Sequence, residues 1–290
     1  MRLTRRVMTP FLKGTLKAVL PNLVLDVIGA SRHYRAAHGT YPNLFLPKTF
    51  SEKVLHRAIF DHRPLLRTCA DKYAVRGFVE QVVGADILPK LYYLASDPRD
   101  IPFMEMPDRF AVKPTHGSGW VTIVRDKSTL DVDNLVDRCD YWLSQDYAHR
   151  HHERNYRNIP RRIIVEELID DGTEGGPVDY KFFVFHGKVE MIGAIFGRFS
   201  DCCAYLCDRN WSPLGVGLVY PSVEKEVAPP KQLKELIRIA ELLGKELAFV
   251  RVDLYATGKR IVFGELTTTP GAGLDTFHPQ SFDAYLGSLW

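Results

Sequence analysis

The sequence contains no run approaching the about 20 consecutive apolar residues of a membrane-spanning helix, which leaves out an integral membrane helix. It has few cysteines, five in 290 residues. The number is odd and the spacing is not that of a disulfide scaffold, so a reducing, cytoplasmic compartment is expected. Cys202, Cys203 and Cys207 stand close together in "CCAYLC", yet no second Cys/His pair at zinc spacing accompanies them. Reduced thiols in or near a strand are the simpler reading. A strong charge of either sign is also missing. The 38 Lys and Arg residues nearly balance the 35 Asp and Glu residues, for a net +3. The basic residues are spread along the chain without aromatic interleaving, so no nucleic-acid partner is expected. No internal repeat and no low-complexity tract occurs. The phosphate-loop pattern ending Gly-Lys-Ser/Thr is absent as well.

What is present is an ordinary globular balance, 46% hydrophobic and 25% charged, in a chain long enough for about two domains. The N-terminus, "MRLTRRVMTPFLKGTLKAVLPNLVLDVIGA", is interrupted by Lys13, Lys17, Pro21, Asn22 and Asp26. It makes a poor signal peptide, and a helical piece packing on the body is expected, with an amphipathic membrane-surface contact as the lesser alternative. "YPNLFLPKTF" reads as a Pro-bounded linker, after which "SEKVLHRAIF" resumes a helical period with Ser51 as N-cap. "RPLLRTCADKYAVRGFVEQVVG" is a helix-rich stretch ending near Gly84.

From Phe110 the texture turns to short strands: "RFAVK", stopped by Pro114, then "WVTIV", then "RRIIVEELI". A helix is expected over 131–148. "VDYKFFVFHGKVEMIGAIFGR" reads as two strands about a His-Gly-Lys turn. "PPKQLKELIRIAELLGKEL" is an amphipathic helix with apolar residues at 233, 236, 237, 240, 243 and 247. "FVRVDLY", "ATGK" and "RIVFGEL" form a hairpin. The sum is α+β, with mostly antiparallel sheets and helices against them.

Two places carry chemistry. In the hairpin, pairing Tyr255 with Ile261 sets Arg251 opposite Glu265 and Asp253 opposite Phe263. All odd positions, Thr267 included, then share one face. Asp253 and Glu265 become diagonal neighbours within reach of one hard cation such as magnesium. The other reading of the same residues is a buried Arg251–Glu265 ion pair with Asp253 at the sheet margin. In "VKPTHGSGW", a strand–glycine loop–strand can fold over phosphates through backbone N–H groups and Ser118, with Lys113 adding charge. Taken alone, a tight hairpin turn without a ligand is the simpler reading of the segment. His149, His151 and His152 in "HRHHERNY" could form a metal or acidic-substrate patch, or a solvated basic helix end.

The order of these motifs resembles the ATP-grasp superfamily, in which two α+β subdomains clamp ATP. "PKTFSEKV", "ADKYAVRGFV", "KPTHGSG", "VDYKFFVFHGKVEMIG" and "RVDLY…FGELTTTPGAG" look like its TupA-like branch, typified by teichuronopeptide biosynthesis proteins, over roughly residues 41 to 290. The resemblance implies a helical N-terminal extension over residues 1–65 in place of a full Rossmann-like pre-domain. It implies an N-terminal subdomain with the phosphate loop over 66–165 and a C-terminal subdomain with the metal hairpin over 166–290. It implies that Lys72 and Lys113 contact ATP phosphates, that His116, Gly117, Ser118 and Gly119 form the phosphate loop, and that Glu166, Glu167 and Leu168 form the hinge beside adenine. Asp179 is similar to the acidic residue near the ribose, with Lys181 on the same strand face. Asp253 and Glu265 look like magnesium ligands, joined by Thr267 where many ATP-grasp ligases carry Asn. Arg251 resembles the arginine that stabilises the transferring phosphoryl group, and Gly271 the turn glycine whose N–H approaches the substrate carbonyl.

The activity so implied is an ATP- and Mg2+-dependent ligase joining a small-molecule or glycan-linked carboxylate to an amine through an acyl phosphate, in cell-surface polysaccharide or peptide-polymer assembly. A kinase of the same fold acting on a sugar hydroxyl is one alternative. A non-catalytic nucleotide-binding component of a glycan-assembly (glycosyltransferase) complex is another, and a peripheral contact with the inner membrane face or with such a complex is the partner expectation beside the substrates.

Overall fold

The computed structural model describes residues 22–173, 175–197, 201–223 and 227–290. Helix α1 (Asn22–His38) lies within the expected N-terminal extension, whose first 21 residues fall outside the described ones. A bent connection leads to α2 (Phe50–Phe60). Its cap is Thr49 rather than Ser51: the Thr49 hydroxyl accepts from the Glu52 N–H at 3.2 Å and the Glu52 carboxylate accepts from the Thr49 N–H. This reciprocal capping box fixes the start two residues earlier than expected. Ser51 instead donates to Asp283 at 2.8 Å. The next helical stretch divides into α3 (Pro64–Ala70) and α4 (Ala74–Val83). Asp71 makes the break by accepting from the N–H groups of Tyr73 and Ala74, which leaves Lys72 on a corner between two helices.

Two antiparallel sheets follow. In the smaller, β1 (Leu91–Ala95), β4 (Ile163–Glu167), β2 (Phe110–Pro114) and β3 (Thr122–Val124) lie side by side in that order. Phe110, Val112 and Val165 face a core completed by Leu135, Cys139 and Trp142 of α5 (Val132–Ser144). Lys113 and Glu166 emerge on the opposite face, as strand alternation requires. The expected 131–148 helix stops at Ser144, and α6 (Tyr147–His151) resumes behind an Asp146 cap.

The larger sheet runs in the order β7 (Cys203–Cys207), β6 (Lys188–Phe196), β5 (Asp179–Phe185), β8 (Phe249–Ala256), β9 (Ile261–Thr267). One face packs on α7 (Leu233–Gly244) through Leu236, Ile239 and Leu243, and also on Leu66, Val75 and Val79 of α3 and α4. These two helices, placed by sequence with the first subdomain, therefore share a core with the second sheet. Strand β4 itself crosses the expected division at 165/166. The other face divides along its length. Phe183, Phe185 and Phe249 meet Phe50 of α2 and Leu286 of α8 (Ser281–Ser288), while Lys181, Arg251 and Asp253 carry charge.

Helix α1 is tied down by Asp26, which is 1% exposed. It accepts from Arg157 at 2.6 Å and pairs with His152 Nδ1 at 3.2 Å. His151 stacks on Tyr147. Of this histidine run, His152 thus anchors the N-terminal helix while His151 stays exposed at the helix end, and among the described residues no group of three His, Cys, Asp or Glu could hold a metal ion.

Candidate functional site

The cleft between the two sheets gathers most of the residues singled out by sequence. From the smaller sheet it is lined by Lys113, Glu166, Glu167 and Leu168, with Gly119 of the glycine loop; Lys72 enters from the α3–α4 corner. From the hairpin come Asp253, Glu265 and Thr267. His116, Asp179, Lys181, Arg251 and Gly271 stand behind or beside this lining.

The hairpin register differs from expectation. Ala256 pairs with Ile261 and Tyr255 with Val262, but beyond Leu254–Phe263 the register shifts, so Asp253 faces Glu265 and Arg251 faces Thr267. The extra residue in β9 is Gly264. A Cβ there would meet the Tyr255 ring at 2.9 Å and the Asp253 carbonyl at 3.0 Å, so this bulge needs glycine. The bulge also reverses the faces: Ile261 and Phe263 join the core, as does Leu266, while Glu265 and Thr267 turn to the cleft. The odd residues of β9 do not all point one way, and the two carboxylates are direct cross-strand partners, not diagonal ones.

The side-chain contacts are those of the ion-pair reading. Arg251 Nε donates to Asp253 Oδ1 at 2.7 Å, and Nη2 donates to Asp253 Oδ2 at 2.8 Å, to Glu265 Oε1 at 2.5 Å and to Thr267 Oγ1 at 3.0 Å. Lys181 donates to Asp253 at 2.5 Å and to Asp179 at 2.8 Å. The ion pair is real, but Asp253 is buried at its centre and not at the sheet margin. Asp179 is fully buried, and its contact in the network is with the Lys181 ammonium.

Burial opposes the charge on Arg251, yet Asp253 and Glu265 outweigh it and raise the guanidinium pKa. Burial likewise pushes Asp253 up against the pull of Arg251 and Lys181. At Glu265, burial is overcome by Arg251 and Lys181, which hold the carboxyl well below the usual range. The donor set fits a hard divalent cation: two carboxylates and a hydroxyl on one face, with too few protein ligands to complete a shell, so the remaining positions suit phosphate oxygens and water.

On the opposite wall, Lys113 pairs with Glu166, and Arg76 approaches the same carboxylate at 3.9 Å. Glu167 accepts from Arg260 of the hairpin turn at 2.5 Å and from the Lys90 N–H at 2.9 Å. It thereby fastens the smaller sheet to the larger at one end of the cleft. Lys72 reaches the Gly117 carbonyl; burial pushes its pKa down to about 8, with Glu265 opposing.

In the glycine loop, His116 is buried and its Nε2 meets the Trp142 carbonyl at 3.1 Å, so the side chain anchors the loop. Gly117 is required because Trp120 folds back over it: a Cβ would lie 2.6 Å from the indole. Ser118 and Gly119 remain exposed. Gly271, with φ at 54°, is also exposed, and a Cβ there would strike the Asp275 carboxylate at 2.4 Å.

Sequence reasoning missed an aromatic and polar cluster behind the loop. The Tyr147 hydroxyl bonds both Ser118 and Glu153, and Glu153 accepts from Thr269 at 2.6 Å. Tyr156 packs on Tyr147 and lines the cleft; burial pushes its phenol well above the ordinary value. Burial also raises Glu153 to about 7. No motif marks these residues, because "HRHHERNY" has no fixed spacing to the strands it joins.

A family model described as TupA-like ATPgrasp matches residues 52–290. Among solved structures the chain is similar to the D-alanine–D-alanine ligase of Bacillus anthracis, at 21% identity over 77% of this chain and 64% of that one, with a TM-score of 0.45. It is similar to an L-amino acid ligase from Bacillus licheniformis at 16% identity over 77% and 49%, with a TM-score of 0.47. It is similar to the ATP-grasp ligase PsnB at 14% identity over 71% and 54%, with a TM-score of 0.38. The chain thus spans less than two thirds of each of these three proteins. No curated protein matches.

Proposed function

The chain belongs to the TupA-like ATP-grasp family, and from this premise we propose that it is an ATP-dependent carboxylate–amine ligase. The observation that carries the reading is the placement of Asp253 opposite Glu265, on a wall that faces Lys72, Lys113 and the glycine loop. Two acidic oxygen donors across from two lysines fit a magnesium nucleotide. Bound there, Mg2+ and ATP would supply charge neutralisation and a phosphoryl group that converts a carboxylate into an acyl phosphate open to an amine.

The chain's own residues do the rest by position and charge. Lys72 and Lys113 offer cations to the phosphates, and the exposed Ser118 and Gly119 offer a hydroxyl and backbone N–H groups. Glu166, Glu167 and Leu168 form the floor where a base would lie. Arg251, fixed by two bonds to Asp253, holds its guanidinium toward the reacting centre, and Lys181 counters the burial that raises the Asp253 carboxyl. Gly271 opens the turn on the acceptor side. The setting in this reading is cytoplasmic, in cell-surface polysaccharide or peptide-polymer assembly, with uronic acid or amino-acid carboxylates as substrates.

Phosphate release over paired panels of acids and amines tests the proposal. Turnover is expected to need both partners, and hydroxylamine should trap a hydroxamate. A phosphorylated product formed without amine and stable to hydroxylamine would instead identify a kinase. ATP binding without turnover on any pair would identify a nucleotide-binding component.

A further inference from the structure

The connection between α1 and α2 holds an apolar tip away from the body. Phe45 is 98% exposed and Leu46 71%, with Tyr41 at 60% beside them. This projection is built, not slack. The Leu46 N–H donates to Asn43 Oδ1 at 3.0 Å. The N–H groups of Asn43 and Lys48 donate to the two oxygens of Glu52 at 2.8 and 2.9 Å. Glu52 is itself locked in the capping box of α2. A carboxylate clamp with three backbone bonds therefore presents two large apolar side chains to water, at a cost the fold does nothing to relieve.

Pro47, next along the chain, lines a surface pocket with Lys53, His56, Arg57, Arg63 and Trp290. Arg57 is buried, donates to the carbonyls of Phe249 and Thr268, and lies 4.0 Å over the Trp290 ring. Lys53 is held by the backbone oxygens of Gly287 and Trp290. Arg63 pairs with Asp61 at 2.6 Å. Arg35 and Lys48 flank the tip itself. With Arg57 buried, four cations, Arg35, Lys48, Lys53 and Arg63, surround the tip and pocket, against two carboxylates, Asp61 and Glu52.

We propose that this face docks on an anionic bilayer, with Phe45 and Leu46 entering the headgroup–acyl boundary and the neighbouring cations meeting lipid phosphates. The shape selects a bilayer over a protein. A specific protein partner needs about 800 Å² on each side, whereas two side chains on a convex tip suffice for a lipid interface when basic residues add attraction. No helix among the described residues is long and apolar enough to cross a membrane; the contact proposed is a peripheral one. The inference deepens the proposed setting in glycan assembly, but it stands on residues away from the nucleotide cleft.

Flotation of the full chain with vesicles of phosphatidylcholine alone, or mixed with phosphatidylglycerol, tests it. Binding is expected to the mixed vesicles and to weaken as salt rises. The double variant F45S/L46S should bind on the order of a hundred-fold more weakly, and Arg63→Gln about five-fold. Met104→Ser, an exposed apolar residue on the smaller domain, should bind as the parent does. Absence of flotation with the anionic vesicles, or flotation undiminished in F45S/L46S, overturns the proposal. So does a parent dimer that F45S/L46S converts to monomer on size exclusion, since a second copy would then cover the tip. The Mg-ATP thermal shift, recorded on the same proteins, should be intact in F45S/L46S. Its absence in the parent would count against the nucleotide reading and leave the bilayer result standing.

Discussion

The two walls of the cleft are out of balance in opposite directions. Apart from the Glu167–Arg260 pair that closes one end, Lys72, Lys113 and Arg76 on the smaller-sheet side face one carboxylate, Glu166. On the hairpin wall, Arg251 and Lys181 face three, Asp179, Asp253 and Glu265. One wall has cations to spare and suits phosphates; the other has anions to spare and suits a metal ion. The chain's net +3 reveals neither surplus. The feature that separates the walls is how charge is partitioned between the two sides of the cleft.

The largest expected effect comes from removing either surplus. Asp253→Asn and Glu265→Gln should each lower magnesium-dependent phosphate release at least about a hundred-fold. Lys113→Ala should abolish the rise in melting temperature on adding Mg-ATP. Magnesium titrations of turnover and thermal shifts provide the readout. Full turnover in Glu265→Gln would remove the hairpin wall from the metal site, and an unchanged shift in Lys113→Ala would remove that lysine from the phosphates.

The two hairpin carboxylates should then part company in stability. Asp253 is 2% exposed and serves Arg251 and Lys181 together. Its loss leaves two buried cations short of a partner, typically ~3–5 kcal/mol. Glu265 has a side chain 41% exposed, and without it Arg251 keeps both bonds to Asp253. Glu265→Gln should cost less than about 1 kcal/mol. Apo melting curves of the two variants, if reversed in order, would show that the Arg251–Glu265 pair and not Asp253 holds the hairpin.

Much of this wall was legible. The alternation in "FVRVDLY" placed Arg251, Asp253 and Tyr255 on one face, and motif order supplied the family. The register was not legible, because a bulge is set by three-dimensional crowding at Gly264 and alternation alone carries a pairing straight through it. Nor was the partnership of α3 and α4 with the larger sheet, since their apolar face fits either core and only the break at Asp71 turns them toward β9 and α7. Gly264→Ala tests the bulge directly. The added methyl meets the Asp253 carbonyl, so a loss of ~1–3 kcal/mol is expected, with magnesium dependence weakened as the carboxylates move apart. An alanine variant with unaltered stability and magnesium response would mean that the bulge tolerates a side chain and does not set the pairing.

The smallest effect contrasts two glutamates a short distance apart. Glu265 sits among cations and is held low, so the stability it contributes is present above its unfolded pKa and is lost as pH falls toward its lower folded value. Glu153 sits among hydroxyls, 5% exposed, with Thr269 and Tyr147 as hydrogen-bond partners and no cation in its pocket strong enough to offset burial. Its folded pKa, about 7, lies above the 4.5 of an ordinary glutamate. The folded chain therefore binds more protons than the unfolded one between these values, and stability falls as pH rises through that window. Above it the full penalty stands, at most roughly 3 kcal/mol. Glu153→Gln retains an acceptor for both hydroxyls and removes the charge. It should match the parent near pH 4.5 and exceed it at pH 8, with the difference opening across the interval. Melting temperatures of both proteins over that range give the comparison. A variant less stable than the parent at pH 8 would show that Glu153 is stabilised as a carboxylate, and that the cluster behind the glycine loop belongs electrostatically with the hairpin wall.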